Sequence, residues 1–224
     1  MERYGTVPPR FTKAWWEYFW YYYKWRVIVA VAAIFLIILT CVQCARRIDY
    51  DATITYIGDK IYMDNNIDTF KTALSQIVSD ADGDQKNTVL FQQIRMPSDT
   101  SAEASTEYSA AALEKSAVEF AAGETFLFLF SRQELDRRLN MGGAEDIFQP
   151  LDASFLSSVP PEDVVTKDGT AYAVSLKDNP YLKSLNFYCD DLYLTIRLPG
   201  RSNKQKDQAK YQNAVTIAHT ILAQ

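Results

Sequence analysis

Residues Val27–Ala45 read VIVAVAAIFLIILTCVQCA, nineteen residues in a row without a charge. As a helix rising 1.5 Å per residue the run is about 28 Å long, which matches the roughly 30 Å of hydrocarbon in a bilayer. A helix buried in a soluble core would carry polar positions along one face, whereas only Thr40 and Gln43 interrupt this run. A cleaved signal peptide has a shorter apolar core, a short basic leader and a small-x-small cleavage site. Here the leader is 26 residues long and dense in aromatics. Lipid attachment at Cys41 or Cys44 also fits poorly, because Thr40 or Gln43 stands where a small residue should precede the cysteine. The run predicts a retained transmembrane helix over 27–45, flanked by a short segment, 1–26, and a soluble body, 48–224.

Charge is uneven on the two sides of the run. Residues 1–47 hold seven cations (Arg3, Arg10, Lys13, Lys24, Arg26, Arg46, Arg47) and two acids (Glu2, Glu17), a balance of +5. Since the whole chain is at −5, residues 48–224 carry −10. Five of those cations precede the run and two follow it, so the positive-inside rule predicts a cytoplasmic N-terminus and an exported C-terminal domain. An acidic body of this kind is unsuited to nucleic acid, which rewards clustered cations, and to lying flat on anionic lipid. All four tryptophans, Trp15, Trp16, Trp20 and Trp25, fall in AWWEYFWYYYKWR just before the run. Trp and Tyr favour the membrane–water boundary, where the ring is buried and its polar atom stays wet. The helical spacing of Phe11, Trp15, Trp16, Phe19, Trp20 and Tyr23 predicts an interfacial helix running into the span. The bilayer is thus one expected partner. Docking to another protein's membrane helices is the alternative use of these rings.

Beyond the span, Tyr50–Ile57 alternates as a strand does, and Ile67, Phe70, Leu74, Ile77 and Val78 mark a helix face with Asn65 or Asn66 as cap. DADGDQKN leads to a second strand, Thr88–Ile94, which Pro97-Ser98-Asp99 ends. An alanine-rich helix over about 102–122 stops at Gly123, and Thr125–Phe130 (TFLFLF) reads as a strand buried on both faces. A short helix follows at Arg132–Asn140, then a loop-rich stretch at Asp146–Leu156. Lys167-Asp168-Gly169 joins Val164–Thr166 to Thr170–Val174 as a hairpin. Leu192–Leu198 alternates as a last strand, and a helix over about Lys204–Ala223 closes the chain. Strand–helix–strand–helix–strand predicts an α/β fold, a single three-layer-like lobe with a mostly parallel sheet and an added hairpin.

Three passages, FAAGETFLFLF at Phe120–Phe130, DIFQPLD at Asp146–Asp152 and DGTAYAVSL at Asp168–Leu176, resemble in order and spacing the first lobe of extracellular solute-binding proteins. The resemblance implies that lobe's fold. Ser175 stands where the family usually has Pro, Phe130 is followed by Ser131-Arg132 rather than an acid, and about fifty residues replace the second lobe. A clamshell needs both lobes to enclose its ligand, so the resemblance implies the fold without the transport-receptor function. Anchor, short leader and acidic single lobe together also look like an uncharacterised family of Gram-positive bacterial membrane proteins.

Motifs for chemistry are sparse. One histidine, His219, and three cysteines do not compose a zinc set. Asp80, Asp82 and Asp84 invite calcium, yet an EF-hand counted from Asp80 would place Gln85 at the glycine position and Phe91 at the bidentate glutamate. A solvated acidic turn is the better reading. Asp190 and Asp191, adjacent on an extended chain, point apart and read as turn polarity. Cys189 has no neighbouring cation in sequence to activate it and reads as a buried thiol. GxSxG, HExxH and a phosphate loop are all missing. The expectation is no catalytic residue, no metal and no cofactor. If a small ligand binds, the strand-end rule of parallel sheets places it near Asp59, Met96, Ser131 and Arg132. The sequence thus points to an anchored, exported interaction module in a cell-envelope assembly, with a small-molecule or peptide sensor as the alternative.

Overall fold

The structure, a computed structural model, describes residues 9–45, 48–97, 106–200 and 205–223. Arg46, Arg47, Ser98, Asp99, the expected helical residues 102–105 and Lys204 lie outside these. The chain forms two compact units, one containing the long N-terminal helix and the other starting at Asp49.

Helix α1 runs unbroken over Lys13–Ala45, 33 residues. It therefore includes the apolar run and the whole aromatic segment in one rod of about 50 Å. Its 13–43 portion is apolar and long enough to cross a membrane.

The second unit is an α/β fold built on one six-stranded sheet. Its strands are β1 (Ala52–Gly58), β2 (Val89–Arg95), β3 (Leu127–Phe130), β4 (Val164–Lys167), β5 (Thr170–Ser175) and β6 (Tyr193–Ile196), in the spatial order β2-β1-β3-β6-β5-β4. The sheet is mixed, where the sequence predicted a mostly parallel one. β1 pairs in parallel with β2 and β3, while β6 is antiparallel to both β3 and β5, and β4 to β5. A parallel step needs a helix-sized crossover. α2 (Asp64–Ser75) and α3 (Thr106–Ala122) supply crossovers between the first three strands. The link from β5 to β6 holds only the five-residue α7 (Pro180–Ser184), so the chain doubles back and inserts β6 beside β3. The hairpin appears as predicted: Asp168 and Gly169 both have positive φ, 52° and 79°, as a type I′ turn requires.

Alternation on the central strands feeds two cores. Ile54, Tyr56, Leu127, Leu129, Leu194 and Ile196 point to one face, against α2 and the closing helix α8 (Gln205–Leu222). Phe128 and Phe130 point to the other, toward Leu135 and Leu139 of α4 (Arg132–Asn140) and Ala112 of α3. Helices therefore cover both faces, the three-layer arrangement. The segment predicted as loop holds two single-turn helices, α5 (Ala144–Ile147) and α6 (Ala153–Leu156), the latter capped by the Asp152 carboxylate on the Ser154 N–H. α2 starts one turn earlier than its apolar pattern, with Met63 at the cap position and no side-chain cap, so neither Asn65 nor Asn66 has that role.

Two polar groups tie the start of this unit to its end. Asn213, buried on α8, donates to the carbonyls of Asp51 and Ser79 and accepts from the Ser79 N–H and hydroxyl. Asp49 is ion-paired with Lys206 and Lys210 of the same helix, and these ammonium groups hold its carboxyl below its ordinary pKa.

Candidate functional site

The parallel strands β1, β2 and β3 end side by side, and the residues that follow them meet there. The Met96 N–H donates to the Gly58 carbonyl at 2.7 Å, and the Ser131 N–H to that of Ile57 at 3.1 Å. Asp59, Met96, Ser131 and Arg132 therefore gather at one end of the sheet, but with different access. Met96 and Ser131 are buried. Asp59 has one carboxylate oxygen 3.7 Å from the Lys60 ammonium and the other buried without a hydrogen-bond partner among the described residues. Arg132 is exposed. Its Nε donates to Asp136 at 2.9 Å, a contact that raises its pKa, and its guanidinium lies 5.5 Å from the centre of the Tyr193 ring.

The N-terminus of α4 faces this crevice, and an acid of the chain itself occupies it. The Asp191 carboxylate accepts the Arg132 backbone N–H at 3.1 Å, neutralising one of the helix's unsatisfied donors. Asp191 thus acts as a helix cap from 59 residues away in sequence, a role that its adjacency to Asp190 did not disclose. Beneath it, the Tyr56 phenol accepts the Lys60 N–H at 3.1 Å, and burial raises its pKa well beyond the ordinary tyrosine range.

Other candidates settle into structural roles. Burial pushes the Cys189 thiol up, away from the thiolate that reactivity requires. His219 lies flat on Phe155, ring centres 4.3 Å apart. In the acidic turn, Asp80 accepts the N–H groups of Asp82, Gly83 and Gln85 at 3.1, 2.6 and 2.8 Å, and those of Gln85 and Gly83 hold its carboxyl below the usual range. Asp51, Asp80 and Asp82 bring one oxygen each within 4.8 Å of one another, but Asp51 already receives the N–H groups of Ala81 and Thr88. These carboxylates shape the turn.

Beside the strand ends, along β2, lies a groove of about 390 Å³ lined by Lys60, Ile61, Gln93, Ile94, Arg95, Ala111, Ala112 and Lys115. It adjoins a second hollow of about 360 Å³ that shares Lys60 and Ile61 and reaches Met63 and Tyr188. Ile61, Met63 and Tyr188 are exposed apolar residues here. No local pattern singled out Lys115, because what places it beside Lys60, in the loop after β1, is the position of β2 at the sheet's edge.

On α1, Trp15 stacks on Phe19 and Phe19 on Tyr23, each at 5.5 Å and 18°. Trp16, Trp20 and Trp25 are exposed on the helix surface. The four tryptophans therefore belong to a rod ringed with aromatic side chains. No family model matches the sequence, and no curated protein or solved structure is similar to it.

Proposed function

We propose that this chain is a membrane-anchored extracytoplasmic interaction module, a non-catalytic component of a cell-envelope assembly, and that its aromatic helix is the part that docks in and beside the membrane. The observation that carries the reading is the continuity of α1. With Val27–Ala45 filling the hydrocarbon, Lys13–Arg26 extends the same rod by about 21 Å. A headgroup layer is only about 5–8 Å deep on each side. An aromatic belt explains Tyr22, Tyr23 and Trp25, but Trp15, Trp16, Phe19 and Trp20 then stand beyond the lipid, and apolar rings there call for a protein surface. A small-molecule reading of the strand-end crevice draws less support, because Asp191 already sits where an anion would meet α4.

The test is co-purification from detergent-solubilised membranes. Replacing Trp15, Trp16 and Trp20 together with Leu keeps the segment apolar and helical but removes the rings. The triple variant is expected to lose a partner that the parent protein retains, with membrane insertion unchanged. Equal recovery of that partner by both proteins removes the docking role from these residues.

A further inference from the structure

β2 is an edge strand: among the described residues it has a ladder partner, β1, on one side only. Its bonds to β1 run through Thr88, whose carbonyl accepts from Asp51 and Ala52, and through Met96, whose N–H reaches Gly58. Alternation along a parallel strand assigns Leu90, Gln92 and Ile94 to that same side. Val89, Phe91, Gln93 and Arg95 consequently turn their backbone N–H and C=O groups outward. One of those groups is seen engaged from the outer side: the Lys115 ammonium donates to the Gln93 carbonyl at 3.3 Å. A row of outward donors and acceptors is a template for another strand.

The groove beside this edge has a particular chemistry. Ile61, Ile94, Ala111 and Ala112 make an apolar floor, the alanines leaving room for a chain to approach. Lys60 and Lys115 stand around it, and among the described residues no carboxylate lines it, in a unit whose residues 48–224 total −10. Asp59 touches Lys60 from outside the groove at 3.7 Å. Cations concentrated at one edge of an otherwise acidic body select for acid and against a second copy of that body.

We propose that the β2 edge binds an extended acidic segment of a partner protein as an added strand, its backbone pairing with the outward groups of β2 and its carboxylates meeting Lys60 and Lys115. This deepens the interaction-module reading and rests on it. On docking, Lys115 releases the Gln93 carbonyl to a peptide N–H and turns to a carboxylate. The apolar side chains that alternate with the acids fall on Ile94, Ala111 and Ala112, and the strand's end runs onto Ile61, Met63 and Tyr188.

The experiment uses the full-length protein in nanodiscs of neutral lipid and a fluorescent peptide of alternating valine and glutamate, read by anisotropy. Three comparisons accompany it: a valine–lysine peptide, a valine–glutamate peptide N-methylated at alternate residues, and the protein variant Lys60→Glu/Lys115→Glu. Saturable binding of the acidic peptide is expected, weakened by salt and by about tenfold or more in each comparison. Lys60→Gln/Lys115→Gln provides the milder substitution, with an intermediate loss, should the charge reversal alter the melting temperature. Failure of the acidic peptide to bind, equal binding of the lysine or N-methylated peptide, or undiminished binding by both variants overturns the proposal. So does a dimer of the parent protein that Lys60→Glu/Lys115→Glu abolishes, since the edge would then belong to a second copy. None of these results bears on co-purification through Trp15, Trp16 and Trp20, so the surface and the module reading fail separately.

Discussion

Gly58 shows how closely the strand-end region is built. It is the last residue of β1, and a Cβ added there would lie 2.3 Å from the Tyr56 hydroxyl, 2.7 Å from the same ring and 2.9 Å from the Ser131 Cβ. Neither neighbour has room to yield. Tyr56 is fully buried with its ring edge-on to Tyr62 at 4.9 Å, and Ser131 is fixed by its N–H bond to Ile57. The glycine is there for proximity, since its φ is not among the positive ones. Gly58→Ala is therefore expected to lower stability by about 1–3 kcal/mol, the usual scale of overpacking. Gly200→Ala, where nothing among the described residues lies within 4 Å of the new carbon, should leave the melt unchanged. Thermal unfolding followed by circular dichroism separates the two variants. Equal melting temperatures would mean that Tyr56 can move, and that the crevice floor is softer than its packing indicates.

At the scale of elements, the closing helix does the joining. α8 lies against β1, β3 and β6 through Ala214, Ile217, Ala218 and Ile221, and Asn213 reaches from it to the carbonyl of Asp51 and to Ser79. Truncating Asn213 to Ala strands the Asp51 carbonyl in a buried place, while water can reach the exposed Ser79. The expected cost is about 1–3 kcal/mol. Thr216→Ala, on the exposed face of the same helix, should cost nothing measurable or stabilise slightly. Denaturant titration gives both values, and an Asn213→Ala midpoint equal to that of Thr216→Ala would deny the network its role. The apolar face of α8 was legible in the sequence, as were all six strands to within two or three residues, because periods of 2 and 3.6 are local properties. What local pattern could not supply was partnership. Leu192–Leu198 alternates equally well in either direction, so insertion of β6 antiparallel to β3 was invisible. The strand-end residues Asp59, Met96, Ser131 and Arg132 were placeable from the strand ends alone. Asp191 capping α4 and Lys115 reaching Gln93 were not, because each depends on a fold-level neighbour.

For the molecule as a whole, if α1 spans a membrane as proposed, the direction of its insertion governs everything that the α/β unit can meet. The two units differ in charge as well as in kind, and the charges nearest the span decide its orientation, with acids contributing little. Lys13, Lys24 and Arg26 are the cations of α1 before the apolar run, Arg10 precedes the helix, Arg3 is farther off, and Arg46 and Arg47 follow the run. The bias to a cytoplasmic N-terminus therefore rests on three side chains. Single cysteines report the outcome, with Cys41 and Cys189 replaced by serine and Cys44 by alanine to remove background. Glu17→Cys, on α1, should react with a membrane-impermeant maleimide only after cells are opened. Asp84→Cys, in the exposed acidic turn, should react in intact cells. Changing Lys13, Lys24 and Arg26 to Gln leaves Arg10 and distant Arg3 against Arg46 and Arg47, and both labelling patterns should then appear in one preparation. The acidic unit adds no counterweight, since folded domains translocate largely regardless of charge. Labelling of Glu17→Cys in intact cells by the otherwise unaltered protein would put the α/β unit in the cytoplasm, and the partner sought for its β2 edge would have to be sought there.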